Sequence, residues 1–296
     1  MNPRLLLIIT AILFSTGGAA IKFNSLTAWQ VASFRSLTAA IVLWLALPSV
    51  RRAWTVRILI LGCAYAATLI LFVLATKLTT AANAIFLQAT APLHLLFIGP
   101  LLLKEPLRRS DWLVMAAMAA GMSLFFIGNE TAVDTAPNPP LGNLLAALSG
   151  LTWAITIAGL RWHERREPNA GITTAFAGNL ITFAVALGPA LPVTAISLQN
   201  GLVVTYLGAF QVALAYVLMS RAVRHVPAFE SAAILLVEPA LNPIWAWLVL
   251  GERPSLLAIA GGSIILLTSA IHTMGLWLKL PAQSAKRGVP GATAPE

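Results

Sequence analysis

The chain has 296 residues, of which 58% are apolar and only 10% charged, with a mean hydropathy of +0.84 and a formal net charge of +9. A soluble domain carries about a quarter charged residues, so there are too few polar side chains here to cover a water-facing surface. The basic excess does not indicate nucleic acid, because Lys and Arg fall in short clusters between apolar runs, and a single cysteine, Cys63, excludes both an intramolecular disulfide and a thiolate metal cluster.

A helix needs about twenty apolar residues to cross a bilayer. Read in chain order, such runs predict spans over 4–22, 27–48, 57–77, 79–103, 111–128, 139–160, 170–191, 200–220, 228–250 and 255–278. The first, with Arg4, an apolar stretch and Gly17-Gly18-Ala19-Ala20, has the outline of a signal peptide. It is read instead as a span, because the stretch from Leu5 to Ile21 has a counterpart later in the chain. The runs are too long and too uniformly apolar to be barrel strands. The loop from Asn129 to Pro140 has no basic residue and reads as an external linker, and the tail from Pro281 lacks the apolar content to fold.

Charge tests this map independently through the positive-inside rule. With a cytoplasmic N-terminus, fifteen of the nineteen Lys and Arg fall inside: Arg4; Arg51, Arg52 and Arg57; Lys104, Arg108 and Arg109; Arg161, Arg165 and Arg166; Arg221 and Arg224; Lys279, Lys286 and Arg287. Only Lys22, Lys77 and Arg253 fall outside, and Arg35 lies within a span.

The halves correspond. A shift of 147 residues superposes Pro92 on Pro239, Glu105 on Glu252 and Lys77 on Arg224, and Ser15 to Gly18 loosely answers Leu151 to Ala154. Each half has five spans, so the second enters the membrane from the opposite side, as in carriers that place substrate at the midplane between inverted repeats. The expected fold is therefore an all-α integral membrane protein of ten transmembrane helices in two inverted five-helix repeats. The first covers 1–128, a linker 129–138, the second 139–280, and a disordered cytoplasmic tail 281–296.

Over roughly residues 4 to 278 this arrangement resembles the drug/metabolite transporter superfamily, in particular ten-helix carriers with two EamA-type halves. The likeness rests on Pro92/Glu105 and Pro239/Glu252, the early arginine of the second span (Arg35) and the span order. Within that superfamily the chain is most similar to bacterial aromatic amino-acid exporters, through Trp153 in Leu151-Thr152-Trp153-Ala154, although Ala91-Pro92 stands where some members have Trp-Pro. The resemblance implies export of amino acids, aromatic and other apolar ones included, by alternating access.

Polar groups inside a membrane are costly and are functional candidates by default. Arg35 needs a carboxylate, helix-end carbonyls or water, either as a tie between spans or as a substrate contact. Glu238 precedes Pro239, where the lost amide donor predicts a kink; it either lines a cavity or pairs with Arg35. Asn242 and Trp245 share its face at i+4 and i+7. In the fourth span Asn83, Thr90 and His94 share a face around a second kink at Pro92, while Gln88 points elsewhere and could bond a neighbouring helix. Trp153 completes the expected cavity, whereas Tyr206 and Tyr216 read as packing or interfacial anchors. Small-residue pairs Ala117/Gly121 and Ala258/Gly262 could form a dimer face but more often pack within a chain, so a monomer is expected.

No HExxH, GxSxG, paired intramembrane aspartates or Walker A motif occurs, so an enzyme or an ATP-driven pump is not expected, nor a metal or cofactor. An exporter of cationic drugs or other small metabolites is the competing function, and a non-transport membrane protein the third. The expected partners are a small-molecule substrate and the lipid bilayer, in a bacterial inner membrane with both termini cytoplasmic. A reporter fused after Leu280 should be active in the cytoplasm; periplasmic activity would require an odd number of spans and undo the inverted repeat.

Overall fold

The structure is a computed structural model that describes residues 2–51, 54–98, 101, 109–127, 132–164, 170–194, 197–222, 225–226 and 234–278. Lys104, Glu105, Pro106, Arg108, Arg165, Arg166, Arg224, Glu230 and the tail from residue 281 lie outside the described residues.

The helices are α1 (Pro3–Ser15), α2 (Gly17–Phe23), α3 (Ala28–Ala46), α4 (Val56–Leu78), α5 (Ala81–Gln88), α6 (Ala91–Ile98), α7 (Arg109–Ile127), α8 (Pro139–Glu164) and α9 (Ala170–Ala190). They continue with α10 (Leu198–Tyr206), a π-helical segment (Leu207–Leu214), α11 (Ala215–Ala222), α12 (Val237–Leu250) and α13 (Leu256–Leu278). Among the described residues the only β-type pairing is a bridge between Val133 and Ala136 in the linker.

Several helices start where a side chain can take an amide that has no partner within the helix. Thr27 and Gln30 form a reciprocal capping box. Thr55, Thr80 and Ser197 accept from Ile58, Asn83 and Asn200 N–H at 3.3, 3.2 and 3.1 Å. Gly251, at φ 68°, ends α12 in the left-handed conformation that glycine alone adopts without strain.

Among the described residues seven helical runs are long and apolar enough to cross a membrane: Pro3–Phe23, Ala28–Ala46, Val56–Leu78, Ala81–Ile98, Pro139–Leu160, Gly171–Ala190 and Leu198–Met219. Asp111–Ile127 and Leu256–Ile271 are apolar but shorter, and α12 adds 14 residues next to a stretch outside the described ones. Large apolar side chains such as Leu113, Leu198 and Leu256 stand exposed on the outside, which suits lipid and not water.

The early helices pack on the late ones. α4 lies against α8 and α9, α3 against α9 and the π segment, α1 against α11 and α12, and α7 against α13. The largest core cluster joins Ile21, Val31, Phe72, Leu87, Met118 and Leu207 from six different runs. Backbones approach closely at glycines: a Cβ on Gly261 would lie 2.6 Å from the Gly121 carbonyl, and one on Gly262 would strike the Phe86 ring at 2.6 Å. The small-residue face of α7 and α13 is thus occupied by packing within the chain.

Gly208 is the tightest of these positions near Arg35, since a Cβ there would meet both the Arg35 carbonyl and Thr38 Cβ at 2.5 Å. Gly208→Val should cost about 1–3 kcal/mol through overpacking, read as a lowered melting temperature in detergent; an unchanged melting temperature would contradict this contact.

Candidate functional site

Among the described residues four helical runs are interrupted. The first breaks at Thr16 between α1 and α2, the fourth at Ala89–Thr90 between α5 and α6, the eighth is π-helical over Leu207–Leu214, and the ninth turns at Leu236 before α12. Hydroxyls take up the backbone carbonyls at two of these sites. Ser15 and Thr16 donate to Ile12 and Leu13 O at 2.7 and 2.8 Å, and Thr90 donates to Leu87 O at 2.6 Å. Gly150 of α8 lets a third helix close on the fourth-run break, for a Cβ there would sit 3.0 Å from Leu87 O.

A cavity of about 100 Å³ lies among these breaks. From the interrupted runs it receives Phe14, Gln88, Gln211, Val212, Tyr216 and Glu238; from the continuous ones come Arg35 of α3, Tyr65, Thr68, Leu69 and Phe72 of α4, and Trp153 of α8. Each interruption lies within two residues of a lining side chain, Phe14, Gln88, Gln211 or Glu238. The aromatic wall is continuous: Tyr65 meets Tyr216 edge-on at 5.5 Å and Trp153 at 6.4 Å, and Tyr216 meets Phe14 at 5.6 Å.

The two ionisable groups of opposite sign do not neutralise each other. Arg35 is 1% exposed and donates to Leu69 O at 3.4 Å, while its Nε has no hydrogen-bond partner among the described residues. It lies in electrostatic reach of Tyr65 and Tyr216. Glu238 is in reach of Tyr216, and among the described residues no ion pair joins it to Arg35. The pairing of Glu238 with Arg35, one of the two arrangements expected from the sequence, is therefore not the one observed.

Of the sequence candidates, the cavity brings together Arg35, Gln88, Trp153 and Glu238. Gln88 also donates to Ser149 Oγ at 2.7 Å, and Ser149 to Thr68 O at 3.2 Å, which ties α5 to α8 and α4. The others lie elsewhere. Asn83 is buried and donates to Asn143 Oδ1 at 3.2 Å and Thr79 Oγ1 at 3.3 Å, a link between α5 and α8. Thr90 is spent on the break itself. His94, half-buried on α6, does not line the cavity, and its Nε2 has no partner among the described residues.

Asn242 is fully buried against Gly18, where a Cβ would meet its Oδ1 at 2.7 Å. Trp245 donates to Ser15 Oγ at 2.9 Å and lines a separate apolar groove with Phe23, Leu202 and Tyr206. The shared face of α12 thus divides: Glu238 reaches the cavity, and the other two pack on the first run. Pro92 is the second residue of α6, just after the fourth-run break, and Pro239 the third of α12, just after the turn at Leu236.

Sequence reasoning missed Phe14, Tyr65, Thr68, Leu69, Phe72, Gln211 and Val212, and took Tyr216 for packing or an interfacial anchor. Gln211 carried a usable signal, an uncharged polar group in the middle of an apolar run, which is costly in lipid. It leans on Gly17, where a Cβ would lie 2.8 Å from its Nε2, so Gly17 and Gly18 make room for Gln211 and Asn242 respectively. The aromatic and apolar lining carried none, because such residues are as common on lipid faces.

A buried charge without a matched partner destabilises, and a hydrophobe of similar volume is often neutral or better. Arg35→Met should therefore melt no lower than wild type in detergent. A fall of several degrees would identify Arg35 as a structural tie.

The profile of the EamA-like transporter family matches twice, over residues 3–127 and 140–274. A solved crystal structure superposes with a TM-score of 0.63 at 18% identity, covering 92% of this chain and 97% of that one, a likeness of fold. Comparison with curated proteins gives no match. With two matches that together take in most of its length and a cavity built on broken apolar helices, the chain belongs to the EamA-like transporter family, whose members are membrane transporters of small molecules.

Proposed function

We propose that this protein is a secondary transporter that exports amino acids, aromatic and other apolar ones included, by alternating access. In this reading it has ten spans in two inverted five-helix repeats and sits in a bacterial inner membrane with both termini cytoplasmic. The two separate family matches support a repeat, and each takes in five helical runs when α1–α2, α5–α6 and α10–π–α11 are each counted as one, which supports the span count. Orientation is supported by the basic residues at one end, where Arg51 lies over the Trp44 ring at 4.5 Å and Arg57 over Trp162 at 5.4 Å, as at a membrane–water interface.

One observation carries the substrate class: a cation and a carboxylate line the same cavity without pairing. A zwitterion completes both. Its carboxylate suits Arg35, its ammonium suits Glu238, and its apolar body suits the wall formed by Phe14, Phe72 and Trp153. A hydrophobic cation would satisfy Glu238 and leave Arg35 uncompensated.

Efflux of radiolabelled phenylalanine from proteoliposomes, with and without an imposed pH gradient, tests this reading and its coupling. Removal of one partner of a buried charge pair costs about 2 kcal/mol or more, so Arg35→Met and Glu238→Gln should each lower the rate at subsaturating substrate about thirtyfold or more. Movement of cationic dyes with no movement of phenylalanine would refute the amino-acid assignment.

A further inference from the structure

Away from the cavity, one end of the molecule is tied by buried charges that the transport site does not use. Lys22, in the last turn of α2, pairs with Glu252, which follows the C-terminus of α12, and also donates to the Thr135 carbonyl of the linker. The two side chains are 4% and 3% exposed. The second oxygen of Glu252 accepts the Ala81 amide, the first of α5, at 2.9 Å. One carboxylate therefore joins a cation on the first run to the positive N-terminal end of a helix on the fourth. Beside it Lys77, at the end of α4, donates to Asn24 O at 2.8 Å, and Asn138 N–H of the linker donates to Leu78 O at 3.0 Å.

The position of this knot relative to the cavity follows from the helices. Lys22, Lys77 and Glu252 lie eight, five and fourteen residues beyond Phe14, Phe72 and Glu238, and Ala81 lies seven before Gln88. At about 1.5 Å per residue, the knot sits roughly 8–21 Å from the lining along all four runs, always toward the same end. Between the two, Ile21, Val73, Ala75 and Ile85 are buried in the apolar core. Of the three helices that carry the knot beside α4, α2 and α12 begin at interruptions and α5 ends at one, so the segments on the knot side can move without those on the other side.

We propose that Lys22 and Glu252 are the positioning pair of a gate that closes this end of the cavity, and that the pair must separate for the cavity to open there. The proposal rests on the transport reading above. With the gate shut, each charge satisfies the other and Glu252 also caps α5. With it open, entering water solvates both, which makes the pair separable in a way that an apolar contact of the same area is not.

The test uses a cysteine probe in the cavity, Thr68→Cys in a Cys63→Ala background, and a membrane-impermeant methanethiosulfonate applied from either face. The parent should react mainly from the face that carries Asn2 and only slowly from the opposite one. Lys22→Met and Glu252→Gln should also react from the opposite face, about tenfold or more faster than the parent, because loss of the pair shifts the population toward the open state. A second variant, Lys22→Cys with Glu252→Cys in the Cys63→Ala background, is bridged by a short bifunctional thiosulfonate. Bridging should stop phenylalanine exchange in proteoliposomes, and a reductant should restore it.

Unchanged far-side reactivity in both single variants would overturn the gate, as would undiminished exchange in the bridged protein. Should Lys22→Met and Glu252→Gln fail to fold, the bridged variant decides alone. Absence of exchange in the unbridged parent would instead count against the transport reading, and the labelling arm would still decide the gate.

Discussion

Every backbone amide and carbonyl that leaves a helix inside an apolar medium must find a partner within the protein. The organisation of this chain depends on that constraint. With 10% charged residues and a wall of exposed Leu, Ile and Val, the outside offers no such partners. The four interruptions all face inward, each within two residues of a side chain that lines one cavity. Local hydroxyls hold two of them together, Ser15 and Thr16 in the first run and Thr90 in the fourth. The Thr16 hydroxyl also meets Tyr206 OH at 2.8 Å, which links the first break to the residue preceding the π segment. The functional cavity is thus where the helical rule is relaxed, and the continuous helices α3, α4 and α8 form the fixed wall opposite.

Close approach makes that relaxation possible. Gly17 and Gly18 admit the side chains of Gln211 and Asn242, and Gly150 admits the carbonyls freed at the end of α5. These glycines act through the space they leave, since the left-handed backbone occurs among the described glycines only at Gly251. The same economy governs polar groups. Asn83, Asn143 and Thr79 bond among themselves and serve packing, while Arg35, Gln88, Gln211 and Glu238 line the cavity.

The asymmetry between the two ends of the molecule has a physical origin in where charge is buried. At the end bearing Lys22, Lys77 and Glu252, charged side chains are bonded to one another or to carbonyls across four runs and the linker. At the other end, Arg51 and Arg57 lie over tryptophan rings near the surface, as snorkelling side chains do. The first arrangement locks helices together, and the second anchors them to an interface.

Composition and run length alone determined that the chain is helical and belongs in a membrane, because apolar stretches of twenty residues have no other stable form in lipid. The intramembrane cost of polar groups singled out Arg35, Gln88 and Glu238, and the breaks beside Pro92 and Pro239 follow from the missing amide of proline. Tertiary structure decided the rest. The break at Thr16 and the π segment carry no proline and depend on neighbours that are distant in sequence. Asn83, Asn242 and Trp245 looked like lining residues on a helical wheel, but a wheel cannot say which neighbour a face meets, and theirs meets α8 or the first run. Lys22 and Glu252 lie 230 residues apart, and their union was invisible until the fold brought both to one end. Periodicity reports what a helix can bury, whereas only packing determines what it is buried against.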